Sequence, residues 1–573
     1  MREEKTEILI IGSEAAGAKA AIEAQEEGAD VLIVTKGLKG RSGSTILAGT
    51  GIQCPIGHMD SRDNPDVFFE DVIKGGAYLN NQKLVDRLVN LAVTEIPKLE
   101  TWGAKFKKTG NKFAQYLTPG ATYPRSLVPL KPAGNQYKIA FASQFKRLNT
   151  KILEDVLVTR LLISDGQVSG ALALSLRNGE FITLRAKNVI LATGGCGQIY
   201  RMTDTSRDAT GDGMNMAFHA GAELMDMEFQ QFFPYSFYGP PFEMETLPAG
   251  LRYYVRGILY NSLGEAFMEK YLPKSKDFGL RDPTSRAIYM ENMAGRGSPH
   301  GGAYLSVKHL PRNLIIRALA ERIPETIAKL EKVGIDIFND AIECGPACHY
   351  TMGGVRVNEN CETAVPRLYA AGEVAAGMDG AERIDGGPAI TWCLTMGYIA
   401  GKEAARQAKE LDWLPVNNDL VQEEKERIAT LRKRQVGIRG LEVKNNIKDI
   451  MWKYSALVRD GKGLQEVLGM LQKIKTDDLP QLSVPSSSDI FNKGLVDALE
   501  AIHMTEVSEL VVRAALIREE SRRSHYRTDF LNLDNKKWLC NTVIKKERER
   551  ITFTSVPPIV TKMQPPETEE ASE

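Results

Sequence analysis

The sequence predicts an α/β protein built on a Rossmann-like nucleotide-binding unit, with an inserted α+β segment and a helical C-terminal region. Three observations carry that prediction. An apolar strand, a glycine turn, an alanine-rich helix and a second apolar strand follow one another between Ile8 and Thr35, the order of a dinucleotide-binding unit. Two later apolar segments, Asn188–Leu191 and Leu368–Ala370, run into small residues in the same manner. Near the C-terminus, apolar positions recur at helical spacing at Leu464, Val467, Leu468 and Leu471, and again from Leu495 to Ile517.

Glu7–Ile11 forms the first strand and feeds Gly12-Ser13-Glu14-Ala15-Ala16-Gly17. The helix reaches about Gln25, and Asp30–Thr35 is the second strand. In such a unit the first glycine makes the tight turn and the second lets backbone approach a pyrophosphate. The third packs helix on strand, and the diphosphate sits at the helix N-terminus. Here Glu14 replaces the second glycine, where a carboxylate repels a diphosphate, and Thr35-Lys36 stands where an acidic residue would end the second strand. Taken alone, this segment is equally readable as a structural turn. The recurrence decides it: Ala192-Thr193-Gly194-Gly195 and Ala371-Gly372-Glu373 offer backbone to the same ligand, and Thr210-Gly211-Asp212-Gly213 adds a turn with a carboxylate. The flanks of the last strand end are His349-Tyr350-Thr351-Met352-Gly353-Gly354 and Gly380-Ala381-Glu382-Arg383. They supply a histidine and an arginine, which suit an anionic substrate.

With 573 residues, 43% hydrophobic and 25% charged, the chain can bury a large core divided among three or four domains. Lys plus Arg and Asp plus Glu both number 73, so no global charge attracts nucleic acid or anionic lipid. No apolar run approaches the roughly 18 to 20 residues of a membrane-spanning helix. The first strand starts too early to leave room for a signal peptide. A cytoplasmic location without direct membrane insertion is expected. Seven scattered cysteines argue against a disulfide framework, a metal site and a resident iron-sulfur cluster. Cys344 and Cys348 are expected to be plain buried thiols, with metal or redox duty as the alternative.

Several motifs together resemble the flavoprotein subunits of succinate dehydrogenase and fumarate reductase, with L-aspartate oxidase and the adenylylsulfate reductase alpha subunit as relatives. These are the N-terminal turn, Ser44-Thr45, Ala192–Gly195, Thr210–Gly213, Arg281-Asp282, His349–Gly354, Gly372-Glu373, Arg383 and a closing run from Glu520 to Asp529. The likeness extends from Ile8 to about Asn541. It implies FAD and a discontinuous FAD-binding domain over 1–240 and 349–410. It further implies a capping domain over 241–348, a helical domain over 411–540 and an extension over 541–573. From Val556 onward Pro and Glu dominate, so part of that extension is expected to be disordered.

The resemblance assigns cofactor contacts to Gly12, Ser13, Ala16, Gly17, Lys36, Ser44, Thr45, Gly51, Ala192, Thr193, Gly194, Asp212, Glu373, Arg383, Ala389 and Ile390. It makes Arg281 the proton donor or acceptor, and makes His349 and Arg383 carboxylate ligands; such an arginine needs a proton route, for which the adjacent Asp282 is a candidate by its position in the chain. Guanidinium forks hold carboxylates well. Bland readings stand beside these. Arg281–Arg286 could be a helix entry capped by Asp282 and Thr284, His349 could be structural, and Arg383 could contact the flavin or a phosphate.

Four departures from the family limit the substrate. Gln231-Phe232-Phe233-Pro234 puts Phe233 where a dicarboxylate-binding histidine belongs, and Arg252–Ile258 lacks the family's Gly-Glu-Gly-Gly ligands. Gly43 replaces the histidine that bonds covalently to flavin in quinone-linked members, so the FAD is expected to be noncovalent. The loop Ile384–Ile390 departs from the family's serine-rich loop. The expected function is an FAD-dependent oxidoreductase that transfers hydride between flavin N5 and a small carboxylate and exchanges electrons with an iron-sulfur subunit, through which it could attach peripherally to a membrane. The alternatives are an L-aspartate oxidase-like or adenylylsulfate reductase-like enzyme, and a non-catalytic flavin electron relay.

Overall fold

Five parallel strands set the frame. In the computed structural model, which describes residues 2–49, 51–130, 132–240, 245–247, 251, 256–320, 324–548 and 550–566, Ile8–Ile11 pair with Val31–Val34 on one side and with Asn188–Leu191 on the other. Leu368–Ala370 lies parallel to Val189–Leu191, and Lys151–Leu153 extends the far edge beside Leu32–Val34. These strands are near-continuous apolar runs because both faces are covered. The helix Ala15–Glu26 is buried over its first ten residues, Ala15 to Ala24, and only a run of small side chains fits between the sheet and the helix Pro388–Ala408 that packs on it. The first turn is equally tight. Gly12 has φ +112°, and a Cβ there would lie 2.2 Å from the Ala192 carbonyl oxygen. The parallel strands thus all end at one edge, at Ile11, Val34, Leu191 and Ala370, where ligands bind in open α/β sheets.

A four-stranded antiparallel sheet forms a second body, ordered Gln230–Phe237, Ile342–Thr351, Ala303–Ser306, Ile258–Tyr260. The helix Arg281–Glu291 packs on its first strand, around a separate core that includes Phe233, Tyr235, Leu259, Ile288 and Leu305. The boundary drawn at 348/349 falls inside the strand Ile342–Thr351, and the one at 240/241 falls just after Gln230–Phe237. Both strands run out of the first domain without a linker, so His349 rides on a cap strand. Most of Arg252–Ile258 lies outside the described residues.

The C-terminal region packs the helices Asn418–Lys433, Gly440–Ser455, Gly461–Lys473 and Lys493–Ile517. Leu464, Val467 and Leu471 face inward, as their spacing requires. Lys493–Ile517 is buried around its whole circumference, its charged Asp497, Glu500, His503 and Glu509 included, as in a helix surrounded by protein. It ends at Arg518, whose side chain is fully buried. Arg518 donates to Glu228 Oε1 at 2.6 Å, Glu520 Oε1 at 2.9 Å, and the carbonyls of Trp538 and Cys540 at 3.0 and 2.7 Å. Asn541–Glu547 and Arg550–Val556 form a hairpin that pairs with Leu224–Met225. Beyond it, Gln82 Oε1 accepts from the amides of Thr561, Lys562 and Met563 at 3.0, 2.9 and 3.0 Å. Pro and Glu remove the chain's own means of folding, but one buried glutamine supplies the missing partners. Residues 567–573 lie outside the described residues.

Because Arg518 holds the buried Glu228 carboxylate, Arg518→Met is expected to destabilise the protein by about 3–5 kcal/mol. The shift of the denaturation midpoint against wild type measures it, and a change under 1 kcal/mol would contradict this role.

Candidate functional site

The cleft at the strand ends is lined by Gly12, Ser13, Glu14, Lys36, Ala192, Thr193 and Asp212, so two of the three strand ends singled out in the sequence line it, and Ala371–Glu373 is not among its lining residues. The N-terminus of the helix Ala15–Glu26 opens into it, with the Ala15 amide donated to Thr45 Oγ1 at 3.1 Å. Ser13 Oγ and Thr193 Oγ1 are buried and find no protein partner among the described residues. Space is open above Gly194, whose φ is +77°. Unpaired hydroxyls, bare glycine backbone and a helix N-terminus fit the diphosphate and sugars of a dinucleotide. Lys36 and Asp212 are committed elsewhere as well. Lys36 Nζ reaches Thr210 Oγ1, Asp212 Oδ2 and Glu500 Oε1 at 3.1, 2.8 and 3.0 Å, and His503 meets Asp212 at 3.1 Å. Burial alone would discharge Lys36, but Asp212 and Glu500 hold its pKa above the usual lysine range. The pair therefore fixes the cleft floor to the helix Lys493–Ile517.

Glu14 does not repel in the way its sequence position suggests. Burial pushes its carboxyl up to about 7, against hydrogen bonds from Thr45 and Gly40, so near neutrality much of it carries a proton. Its side chain lies against Gly43, which has φ +80° and would place a Cβ 2.4 Å from Glu14 Cγ. A side chain at 43 and a carboxyl at 14 exclude each other. Lys39 and Lys138, which the sequence did not single out, line a second hollow that continues past Ser13, Glu14 and Thr45.

At the other end, three segments bring Arg281, Arg383 and His349 together. Arg281 opens the cap helix and Arg383 follows the turn Gly380–Glu382. Both guanidinia are buried, and both donate to Gln231 Oε1, at 3.0 Å from Arg281 Nη1 and 3.0 Å from Arg383 Nη2. Gln231 Nε2 returns a bond to the Arg383 carbonyl at 2.7 Å. Arg281 also pairs with Asp385. The Phe233 ring lies 5.3 Å from the Arg281 guanidinium, and the Tyr350 ring 4.0 Å from that of Arg383. His349 Nδ1 stands 3.0 Å from both oxygens of Asp204, and its ring packs 5.3 Å from that of Phe233. Burial lowers the His349 pKa, Asp204 opposes that, and the two arginines add to it. With Asp204 accepting at Nδ1, the neutral imidazole carries its hydrogen there and turns Nε2 away from Asp204.

Arg281 is thus both a helix entry and a cleft residue, so the two readings of its segment coincide. Gln231, Asp204, Asp385 and Tyr350 were not picked out in the sequence. Gln231 and Tyr350 sit in motifs that were noted, but nothing in a sequence tells which side chain on a strand turns inward.

The remaining positions lie between the two ends. The Thr351 amide donates to Glu373 Oε1 at 3.0 Å, and burial pushes the Glu373 carboxyl up to about 7. Gly51 abuts Gly387 just before Ala389 and Ile390 open the helix Pro388–Ala408. Ala16 and Gly17 lie buried in the first helix, with the Ala16 Cβ close under Gly372. Ser44 stays exposed at the head of a short turn, Thr45–Leu47. Cys344 and Cys348 are buried thiols whose pKa values burial raises above the usual range.

A family model described as an FAD binding domain matches residues 7–388, and one described as the fumarate reductase flavoprotein C-terminus matches residues 444–570. The chain is 38% identical over 525 residues to a fumarate reductase (CoM/CoB) subunit of Methanothermobacter marburgensis, across 91% of this chain and 94% of that protein. The FrdA chain of E. coli quinol fumarate reductase superposes with a TM-score of 0.92 at 25% identity, covering 99% of both chains. Sdh1 of Mycobacterium smegmatis in complex with UQ1 gives 0.88 at 30% identity, covering 99% of this chain and 96% of that one.

Glu14 makes FAD affinity depend on pH. Below about 7 its carboxyl is neutral; above, the carboxylate opposes the diphosphate. The Kd for FAD, followed by fluorescence quenching, should rise by up to about tenfold per pH unit above that point, and Glu14→Gln should flatten the profile. A wild-type profile as flat as the variant's would refute this.

Proposed function

The chain belongs to the fumarate reductase and succinate dehydrogenase flavoprotein family and is an FAD-dependent oxidoreductase, and from that premise we propose that it reduces a small unsaturated carboxylate. The observation that carries this reading is the convergence of buried Arg281 and Arg383 on Gln231 Oε1, beside His349. FAD, when bound, supplies the hydride to one carbon of the substrate's double bond. Arg383 and His349 bind the carboxylate: the guanidinium as a charged fork, the imidazole by donating from Nε2 in its protonated form, with Nδ1 held by Asp204. Arg281, oriented by Asp385 and Gln231, gives a proton to the neighbouring carbon. An arginine is an acid only toward a very strong base, and the carbanion-like carbon left by hydride addition is one. Fumarate is the leading substrate.

A second reading, an electron relay between protein partners with no small substrate, is favoured by Phe233, which fills the place of a carboxylate ligand. Either way electrons are expected to pass to or from an iron-sulfur subunit, since the relatives are named as subunits of fumarate reductases and succinate dehydrogenases and this chain's seven cysteines are spread from Cys54 to Cys540, whereas a cluster needs its thiolates together. Among the described residues no helix is long and apolar enough to cross a membrane, so any membrane attachment would run through such a partner.

Reoxidation of the reduced holoenzyme by fumarate should fall at least about 100-fold in Arg281→Ala. Stopped-flow absorbance of the flavin measures this, and wild-type indifference to fumarate and to other carboxylates would favour the relay. The FAD should also be noncovalent, since Gly43 offers no bonding atom and leaves no room for one. Acid precipitation is expected to leave all the flavin in the supernatant; flavin in the washed pellet would contradict it.

A further inference from the structure

Asp204 lies on the loop between the short turn Gly197–Ile199 and the helix Asp212–His219, ahead of the cap strands. It is fastened to those strands by backbone and side chain alike. Its amide donates to the Cys348 carbonyl at 3.2 Å, and the Cys348 amide donates to the Met202 carbonyl at 2.8 Å, so the loop runs beside the residue that precedes His349. The carboxylate accepts from His349 Nδ1, which stands 3.0 Å from both oxygens. Oδ2 accepts in addition from Thr246 Oγ1 at 3.1 Å and from Ser236 Oγ at 3.4 Å, two residues that face each other in an antiparallel bridge. A carboxylate has about four acceptor positions, so the three donors do not compete.

What this carboxylate lacks is a full counter-charge. Its side chain is 1% exposed, and among the described residues no lysine or arginine pairs with it, so a protonated His349 is the partner that would neutralise it. The other charges acting on His349 are Arg281 from the cap helix and Arg383 from the loop before Pro388–Ala408, and both oppose a proton there, as burial does. The Phe233 ring against the imidazole is neutral. Resting on the reading of His349 as a substrate ligand, we propose that Asp204 is a positioning residue whose negative charge lets His349 take one proton from solvent when a carboxylate binds, so that substrate capture and proton uptake are one event. In the free cleft the imidazole keeps its hydrogen on Nδ1, toward Asp204, and Nε2 carries a lone pair. An arriving carboxylate offsets the two arginines, the Nε2 lone pair bonds a proton delivered by water, and the new N–H donates to the anion. The imidazolium then stands between two carboxylates, one from the protein and one from the substrate. Departure of the product returns the proton to solvent, so the cycle balances and no electrons move in this step. Asp204 acts through His349 and does not touch the substrate.

The test titrates fumarate into the oxidised holoenzyme, with FAD in excess, where no electrons are present to turn the ligand over. Calorimetry slightly above neutral pH, in two buffers of different ionisation enthalpy, should show wild type taking up close to one proton per bound fumarate. Asp204→Asn keeps an acceptor and the shape but not the charge, and should take up none. Its Kd for fumarate should be about tenfold higher than that of wild type near neutrality. The wild-type Kd should rise by up to about tenfold per pH unit above the pKa of the free histidine, until that of the bound form is passed, and the variant's should stay flat. Reoxidation of the reduced variant at saturating fumarate should remain within about threefold of wild type, because the loss is one of binding. Fumarate binding without proton uptake in wild type, uptake that persists in Asp204→Asn, or an equal loss of affinity at every pH would each overturn the proposal and leave Asp204 as a fastening of the cap. If Asp204→Asn does not fold, His349→Gln decides: uptake that persists in it overturns the proposal, and its loss supports it. Wild type that binds neither fumarate nor any other carboxylate would sink the functional reading and the proposal together, whereas binding without uptake sinks the proposal alone.

Discussion

Two buried positive charges share one oxygen. Arg281 and Arg383 both donate to Gln231 Oε1 from 3.0 Å, and two buried like charges brought to one acceptor repel each other. Much of the neighbourhood can be read as compensation. Asp385 takes Arg281, the Phe233 and Tyr350 rings lie against the two guanidinia, and Asp379 and Glu373 act on Arg383. What the compensation leaves is a cleft that an incoming carboxylate relieves. Burial, with the two arginines adding to it and Asp204 opposing, lowers the His349 pKa, so an arriving anion would favour the charged form that donates from Nε2.

Assembling that arrangement takes both bodies of the fold. Arg281 comes from the cap helix, His349 from a cap strand, Gln231 from the strand that leads into the cap, and Arg383 from the loop before the helix Pro388–Ala408. Gln231 bonds to the Arg383 backbone as well as to both guanidinia, so it registers the cap against the nucleotide-binding sheet. The strands Gln230–Phe237 and Ile342–Thr351 carry this register directly, since neither is preceded by a flexible link. Glu373 completes the connection. It ends a strand of the nucleotide sheet and accepts from the Thr351 amide, two residues beyond His349.

The parts legible in the sequence are those that repeat a local rule. Ile8–Ile11, Asn188–Leu191 and Leu368–Ala370 are readable because a strand buried on both faces must be apolar throughout, and Leu464, Val467 and Leu471 because a packed helix has a period. The Gly12 turn is readable because no other residue fits against Ala192. What failed to show depends on distant neighbours. Glu14 reads as a repelling carboxylate until burial protonates it, and the tail beyond Val556 reads as unstructured until Gln82 supplies its partners. Gln231, Asp204 and Asp385 are ordinary polar residues whose weight comes only from where three separate segments put them.

Phe233 shows why chemistry and specificity are separable in such a site. A histidine there would donate to a second carboxylate, and an aromatic ring cannot. Yet the ring does not simply empty the position. It lies 5.3 Å from the Arg281 guanidinium and 5.3 Å from the His349 ring, and a cation over an aromatic face gains about 1–2 kcal/mol when desolvated. On the proposed reading, Phe233 takes away one carboxylate ligand while its ring still packs against Arg281 and His349. If the proposed roles hold, Arg281 can move a proton to carbon beside a pocket with one fewer carboxylate partner, so a change in what such a site accepts does not require a change in how it reacts.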